Sequence, residues 1–245
     1  MKNRKELPRI GYLENISVDL NNLIPYLERN GLLNYDRYTD IKVSANSKHK
    51  DFVIANEFCK NSFFKEDSAE SMEGDRYVQL YLTDFDENKK SNNVVLQKTN
   101  IFSRSRRLDP EKSTYLPEAD ELMYGVKNSL VKGELEKVLN LFESKITRVR
   151  LACLKSNFQI KPHVDYDPSY ITRYHIPIIT NENAKMFIQR KDDILEFHLP
   201  ADGRIYFFNS GLKHWVNNFS DKDRLHLIVD VNGQSELKHL KEISF

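Results

Sequence analysis

His163-Val164-Asp165 sets an imidazole and a carboxylate two residues apart. In an extended segment such residues point to the same side, so both aim at one spot. A second imidazole, His214, follows several strand-like runs later. Two histidines and one carboxylate on one face of a metal ion leave its other positions open, which is the donor set of non-haem Fe(II) oxygenases. A histidine and an aspartate this close also occur as a surface pair in a loop, so the surrounding elements must decide between the two readings.

Two of those elements carry cations. In Arg224 to Val231, alternation puts Arg224, His226, Ile228 and Asp230 on one face and Leu225, Leu227 and Val229 on the other. In Arg173 to Ile178, Arg173, His175 and Pro177 share a face opposite Tyr174, Ile176 and Ile178. Each strand thus has an apolar face to pack and a face bearing cations. Cations inside a barrel are costly unless an anion meets them. A carboxylate held by a guanidinium through two parallel hydrogen bonds would offset that cost and fix a geometry. The carboxylate can belong to a small diacid guest, or to an Asp or Glu of the chain at the barrel mouth.

The rest of the pattern supplies a scaffold. Leu20, Leu23, Ile24 and Leu27 predict a helix within residues 10–33, with Ser17 as its cap, Gly31 as its stop and Pro25 as a disturbance. Tyr77 to Thr83 alternates as a strand, and Asp84 to Asn93 reads as a charged loop. Arg104, Arg106 and Arg107 form a basic cluster, either a solvated loop or a contact for an acidic substrate. Helical spacing predicts helices over Glu118 to Val131 and Glu134 to Thr147. From Arg148 the period becomes two, with further strands at Thr172 to Ile179, Lys185 to Gln189, Ile194 to Leu199, Arg204 to Phe208, His214 to Asn217 and Arg224 to Val231. Turn signals such as Asp202-Gly203 separate them. Short, evenly spaced strands of this kind imply a mainly β fold with flanking helices, a closed or double-sheet antiparallel jelly roll.

Composition narrows the function classes. The 245 residues include 37 Lys and Arg against 36 Asp and Glu, a net charge of +1, which argues against nucleic acid as partner. No apolar run is long enough to span a membrane, and the basic, polar Met1 to Arg9 is not followed by the apolar core of a secretion signal. Cys59 and Cys153 make neither a disulfide framework nor a cysteine-rich metal site, so a reducing, cytoplasmic setting is expected.

The blocks Arg148-Val-Arg-Leu-Ala-Cys-Leu154, Ile160-Lys-Pro-His-Val-Asp165, Arg173-Tyr-His-Ile-Pro-Ile178, and His214 followed by Arg224-Leu-His-Leu-Ile-Val-Asp230 together resemble the aspartyl/asparaginyl β-hydroxylase family. These are Fe(II)- and 2-oxoglutarate-dependent dioxygenases on a double-stranded β-helix (a cupin-like jelly roll). The resemblance covers roughly residues 145–232. It implies His163, Asp165 and His214 as iron ligands and Arg224 as the partner of the distal carboxylate of 2-oxoglutarate. It also implies His175 at the metal-proximal end of that co-substrate. Arg173 would sit near the same end or hold a carboxylate of the substrate. The animal enzymes that name the family lack the metal-binding carboxylate, whereas this chain has Asp165, so the family name does not fix the substrate. The implied reaction is hydroxylation of an aliphatic carbon of an amino acid, free or within a peptide, using O2 and releasing succinate and CO2. Two other readings stay open: a cupin-type metalloenzyme that uses no 2-oxoglutarate, and a non-catalytic binding protein on the same fold.

The implied organisation is one domain over 1–245: a scaffold and substrate cover in 1–110, helices in 118–147 and the catalytic core in 148–232. Tyr166 and Asp167, with Tyr170, follow the His-x-Asp motif on a loop and are candidates for substrate contact. Trp215 is expected to point away from the metal into the core, Asn209 and Ser210 to make a turn, and Cys153 to be a buried thiol. His198 reads as structural or superficial, and His49 and His239 as exposed.

Overall fold

The computed structural model describes residues 1–40, 77–84 and 124–243. The basic cluster at 104–107, His49, Cys59 and most of the expected substrate cover lie outside the described residues. The described part is mainly β, built from antiparallel sheets.

The first strand, β1 (Ile10–Ser17), is followed by the helix α1 (Leu20–Arg29). The expected helix over 10–33 is therefore corrected at its start. Ile10 and Leu13 are buried in a sheet instead. Asp19 rather than Ser17 is the cap, its carboxylate accepting from the amides of Asn21 and Asn22. The stop is as expected. Gly31 takes φ +64°, its amide donates to the carbonyl of Glu28, and the amide of Leu32 donates to that of Leu27. Pro25 lies inside this helix.

After β2 (Thr39–Asp40) come β3 (Tyr77–Tyr81), β4 (Thr83–Asp84) and β5 (Val126–Lys127). The expected helix over 118–131 is corrected wherever it is described: residues 126 and 127 are a strand paired with β4. A side chain at Gly125 would sit 2.6 Å from the carbonyl oxygen of Ile146, so this segment lies too close to its neighbour for a helix with side chains all round. The next helix, α2, covers only Glu134–Leu139. It buries Leu135, Val138 and Leu139, and the chain then enters β6 (Lys145–Leu154). The buried carboxylate of Glu236 fixes this change, accepting from the amide and the hydroxyl of Ser144 at 2.6 and 2.7 Å.

The remaining strands are β7 (Phe158–His163), β8 (Thr172–Ile179), β9 (Ala184–Arg190), β10 (Asp193–Phe197), β11 (Arg204–Phe208), β12 (Lys213–Asn218), β13 (Arg224–Asn232) and β14 (Leu240–Glu242). They build an eight-stranded sheet, in the order β14-β1-β11-β8-β13-β6-β3-β2, and a four-stranded sheet, in the order β10-β9-β12-β7. This two-sheet arrangement is the expected jelly roll. Gly203, at φ +82°, makes the turn into β11.

Two apolar clusters follow from the alternation. Leu225, Leu227 and Val229 of β13, with Tyr174 and Ile176 of β8, pack outward against Leu23 and Leu27 of α1 and Leu135 of α2. A smaller cluster, including Met186, Ile188, Phe208 and Val216, packs between the sheets. The cationic faces of β8 and β13 point to that inner side. Thr147 to Leu154 of β6 is buried on both faces, Arg148 and Arg150 included. No helix among the described residues is long and apolar enough to cross a membrane.

Candidate functional site

His163 ends β7 and His214 lies near the start of β12. The two are direct partners in the antiparallel register, which sets their rings 4.2 Å apart. Asp165 lies just beyond β7, in a loop rather than in the strand, so simple alternation does not aim it. Its amide donates to the carbonyl of Ser210 at 2.9 Å, which ties this loop to the turn before His214. Gly211 permits the approach: a side chain there would meet Pro168, Arg4 and the backbone of Asp167 at 3.0 to 3.1 Å. The result is a carboxylate with Oδ1 3.9 Å from His163 Nε2 and Oδ2 3.8 Å from His214 Nε2. One donor atom from each of the three residues lies within 4.8 Å of the others.

The protonation pattern suits a cation. A carbonyl can only accept, so the 2.9 Å contact of His214 Nδ1 with Leu212 O puts the ring proton on Nδ1. Nε2 then offers a lone pair towards Asp165. Burial and the neighbouring His163 draw the pKa of His214 down to about 3, so the ring is neutral. Burial alone would raise the Asp165 carboxyl; Arg173, His163 and His214 outweigh it and hold the group well below the usual carboxylate range. Two imidazoles and a carboxylate are a donor set that Fe(II), among divalent ions, accepts.

Arg173 and Arg224, paired in the sequence argument as co-substrate cations, differ. Arg173 donates from Nε to Asp230 Oδ1 at 2.7 Å, from Nη2 to Asp230 Oδ2 at 3.0 Å, and from Nη1 to Asp165 Oδ2. Arg150 adds a bond from Nη1 to Asp230 Oδ2 at 2.8 Å. Asp230 is fully buried, and the two guanidinium groups keep its carboxyl well below the usual range against the effect of burial. Arg173, expected near the co-substrate or on a substrate carboxylate, here commits its guanidinium to two carboxylates of the chain.

Arg224 begins β13 at 3% exposure. Its partners among the described residues are the sulfur of Met186 at 3.4 Å and Nδ1 of His226 at 2.8 Å, both from Nη2, with no carboxylate among them. Burial lowers its pKa to about 10, so it stays charged. His175 stands between the two ends. Its ring meets that of His226 at 5.5 Å and that of Phe208 at 5.4 Å, and Phe208 meets His214 at 4.9 Å. Nε2 of both His175 and His226 is buried without a hydrogen-bond partner.

The remaining candidate residues lie around these groups. Asp167, a candidate for substrate contact, is buried, accepts from the amide and hydroxyl of Ser169, and faces Arg4 Nε at 3.9 Å. Trp215 does point away from the metal cluster, but it is half-buried and stacks on Phe187 at 5.1 Å instead of entering the core. Tyr166 is half-buried on the loop after Asp165, edge-on to Tyr170. Asn209 makes the expected turn and also ties it to the N-terminal segment, donating to the carbonyls of Arg4 and Pro8 at 3.0 Å. Arg150, Asp230 and His226 also belong to this region, although no motif in the sequence gives them a role. Their shared strand faces were visible, but which residues meet across strands depends on register.

The sequence profile of the aspartyl/asparaginyl β-hydroxylases matches residues 60–233, and the chain belongs to that family. Among solved structures it is similar to an oxidoreductase of the 2OG-Fe(II) oxygenase family from Burkholderia pseudomallei, with 13% identity over 65% of this chain and 68% of that one, at a TM-score of 0.37. A non-heme monooxygenase, ThoJ, in a nickel complex is 14% identical over 37% of this chain and 44% of that one, at a TM-score of 0.31. A cupin domain from Bordetella pertussis is 13% identical over 38% of this chain and 88% of that one, at a TM-score of 0.29.

Proposed function

We propose that this protein is an Fe(II)- and 2-oxoglutarate-dependent hydroxylase acting on an aliphatic carbon of an amino acid, free or within a peptide. The observation that carries the reading is the pairing of two features in one interior. These are a His163, Asp165, His214 donor cluster and, beyond Phe208 and His175, a buried guanidinium at Arg224 with no carboxylate of the described chain to neutralise it. A small diacid with one end at the cluster and the other at Arg224 answers both. When bound, iron with 2-oxoglutarate supplies the oxidising power to turn O2 and a C–H bond into an alcohol, with succinate and CO2 released.

The chain's own residues do the positioning. His163 and His214 offer ring lone pairs, and Asp165 contributes a carboxylate that Arg173 keeps ionised and fixed in direction. The Asp230 fork holds Arg173 in turn, an outer support of the kind that orients metal ligands. Arg224 grips the distal carboxylate, and burial strengthens that bond by removing competing water. Tyr166, on the loop after Asp165, is the candidate for substrate contact.

Anaerobic titration with Fe(II) and 2-oxoglutarate tests the reading, followed by mass spectrometry of an amino-acid and peptide pool after O2 is admitted. The expected result is a weak visible charge-transfer band on binding and a gain of one oxygen that requires 2-oxoglutarate. Metal binding with no 2-oxoglutarate binding would instead support the cupin-type metalloenzyme. Failure to bind metal would support a non-catalytic binding protein.

A further inference from the structure

Beside Arg224 lies an imidazole that none of the roles above uses. His226 is 1% exposed, and its Nδ1 sits 2.8 Å from Nη2 of Arg224. A guanidinium can only donate, so Nδ1 of His226 must carry a lone pair and the ring proton must sit on Nε2. Nδ1 of His175 is 3.3 Å from the same atom. Two lone pairs do not face each other at that distance, so His175 turns an Nδ1–H towards it. One acceptor atom therefore serves two donors, and it limits the swing of a buried guanidinium that has no carboxylate partner among the described residues.

The backbone around His226 is shaped for this contact. Its neighbour on β6 is Ala152, small enough to leave space for the ring. Its neighbour on β8 is Pro177, and the β13/β8 register shifts between Leu225 and His226. A proline inside a central strand gives up a ladder hydrogen bond and is found at such irregularities, which bend a strand and re-aim its side chains. Sheet regularity is broken at the residue that holds Arg224.

We propose that His226 is a positioning residue of the anion pocket: as a neutral ring protonated on Nε2, it fixes the Arg224 guanidinium to receive the distal carboxylate of the co-substrate. This rests on the 2-oxoglutarate reading. A ring that only filled space would be replaced best by another apolar group of similar size. A ring that works through Nδ1 is replaced best by a side chain with an acceptor at the same distance from the backbone, and asparagine provides one.

The test is calorimetric titration of 2-oxoglutarate into anaerobic Fe(II)-loaded protein, with metal affinity measured in parallel. His226→Leu is expected to weaken 2-oxoglutarate binding roughly tenfold with metal affinity unchanged, since it removes a hydrogen bond to a charged group. His226→Asn is expected to stay within about threefold of the parent. In an Arg224→Leu background, His226→Leu should add no further loss, because the two act as a unit. An unaffected leucine variant, or an asparagine variant as weak as leucine, overturns the proposal. Histidine ring nitrogen NMR on the unsubstituted metal-free protein decides it without any variant: an Nδ1–H signal for His226 overturns it, and Nε2–H supports it. Absence of 2-oxoglutarate binding by the unsubstituted protein would refute the co-substrate reading itself, a result distinct from any of these.

Discussion

The two ends of this interior treat buried positive charge in opposite ways. At the metal end, Arg150 and Arg173 share the carboxylate of Asp230, and Arg173 reaches on to Asp165. At the far end, Arg224 has a thioether and an imidazole for company. The first end is internally neutralised and serves as a brace. The second carries an unmet charge, which costs folding free energy and is retained where a guest completes it. A shared residue type on neighbouring strands thus gives a neutralised support in one case and an uncompensated charge in the other.

The largest effect should come from breaking the brace. Asp230→Ala leaves two buried guanidinium groups without their shared partner and should cost about 3–5 kcal/mol in chemical denaturation of the metal-free protein. Arg224→Met in the same assay should cost nothing or raise stability, because it removes an uncompensated charge. Equal losses for the two variants would erase the distinction between the ends.

Acid should separate the ends next. Burial first, and then Arg224, holds the pKa of both His175 and His226 well below the ordinary 6.5. Above pH 6.5 these rings are neutral folded or unfolded. As pH falls below it, the unfolded chain takes up protons that the folded chain refuses, so stability declines. Two rings give a slope of up to about 2.7 kcal/mol per pH unit. Asp230 has a linkage of the same sign at lower pH: its folded-state carboxyl lies below the ordinary 3.8, so its contribution is complete above that value and is lost only as pH falls below it. Denaturation of the metal-free protein across pH 7 to 3 should therefore weaken in two stages, the first reduced in His226→Leu. A flat profile between pH 6.5 and 4.5 would contradict the neutral-ring assignment.

Arg224→Met should also weaken 2-oxoglutarate binding by about 2 kcal/mol, roughly 30-fold, at unchanged metal affinity, as read by calorimetry. The smallest effect belongs to a surface pair used as a control. Arg9 and Asp193 meet at 2.6 Å, but the aspartate is 71% exposed, so Asp193→Ala should change stability by less than about 1 kcal/mol.

Much of this architecture was legible in the residues. Period-two runs marked the strands from Arg148 onward because each packs one apolar face. The His-x-Asp motif, His214 and Arg224 stood out as residue types that a strand interior seldom holds. Helix lengths depart from the apolar spacing where that spacing fits two periods. Leu135, Val138 and Leu139 do form a helical face, but Phe142 and Ile146 belong to the entry into β6, which Glu236 fixes from far along the chain. Ile10 and Leu13 are buried in a strand because β11 and β14 lie on either side of it, neighbours that no local pattern reveals.

The sequence alone determined the alternation, the donor types and which residues share a strand face, since these follow from bond geometry and side-chain chemistry within a few residues. Tertiary structure alone decided that His163 opposes His214, that Arg173 is neutralised by Asp230 while Arg224 is not, and that His226 turns a lone pair to that guanidinium. Those outcomes depend on register and distance between strands far apart in the chain. In a buried interior, a shift of one residue decides whether a charge finds a partner.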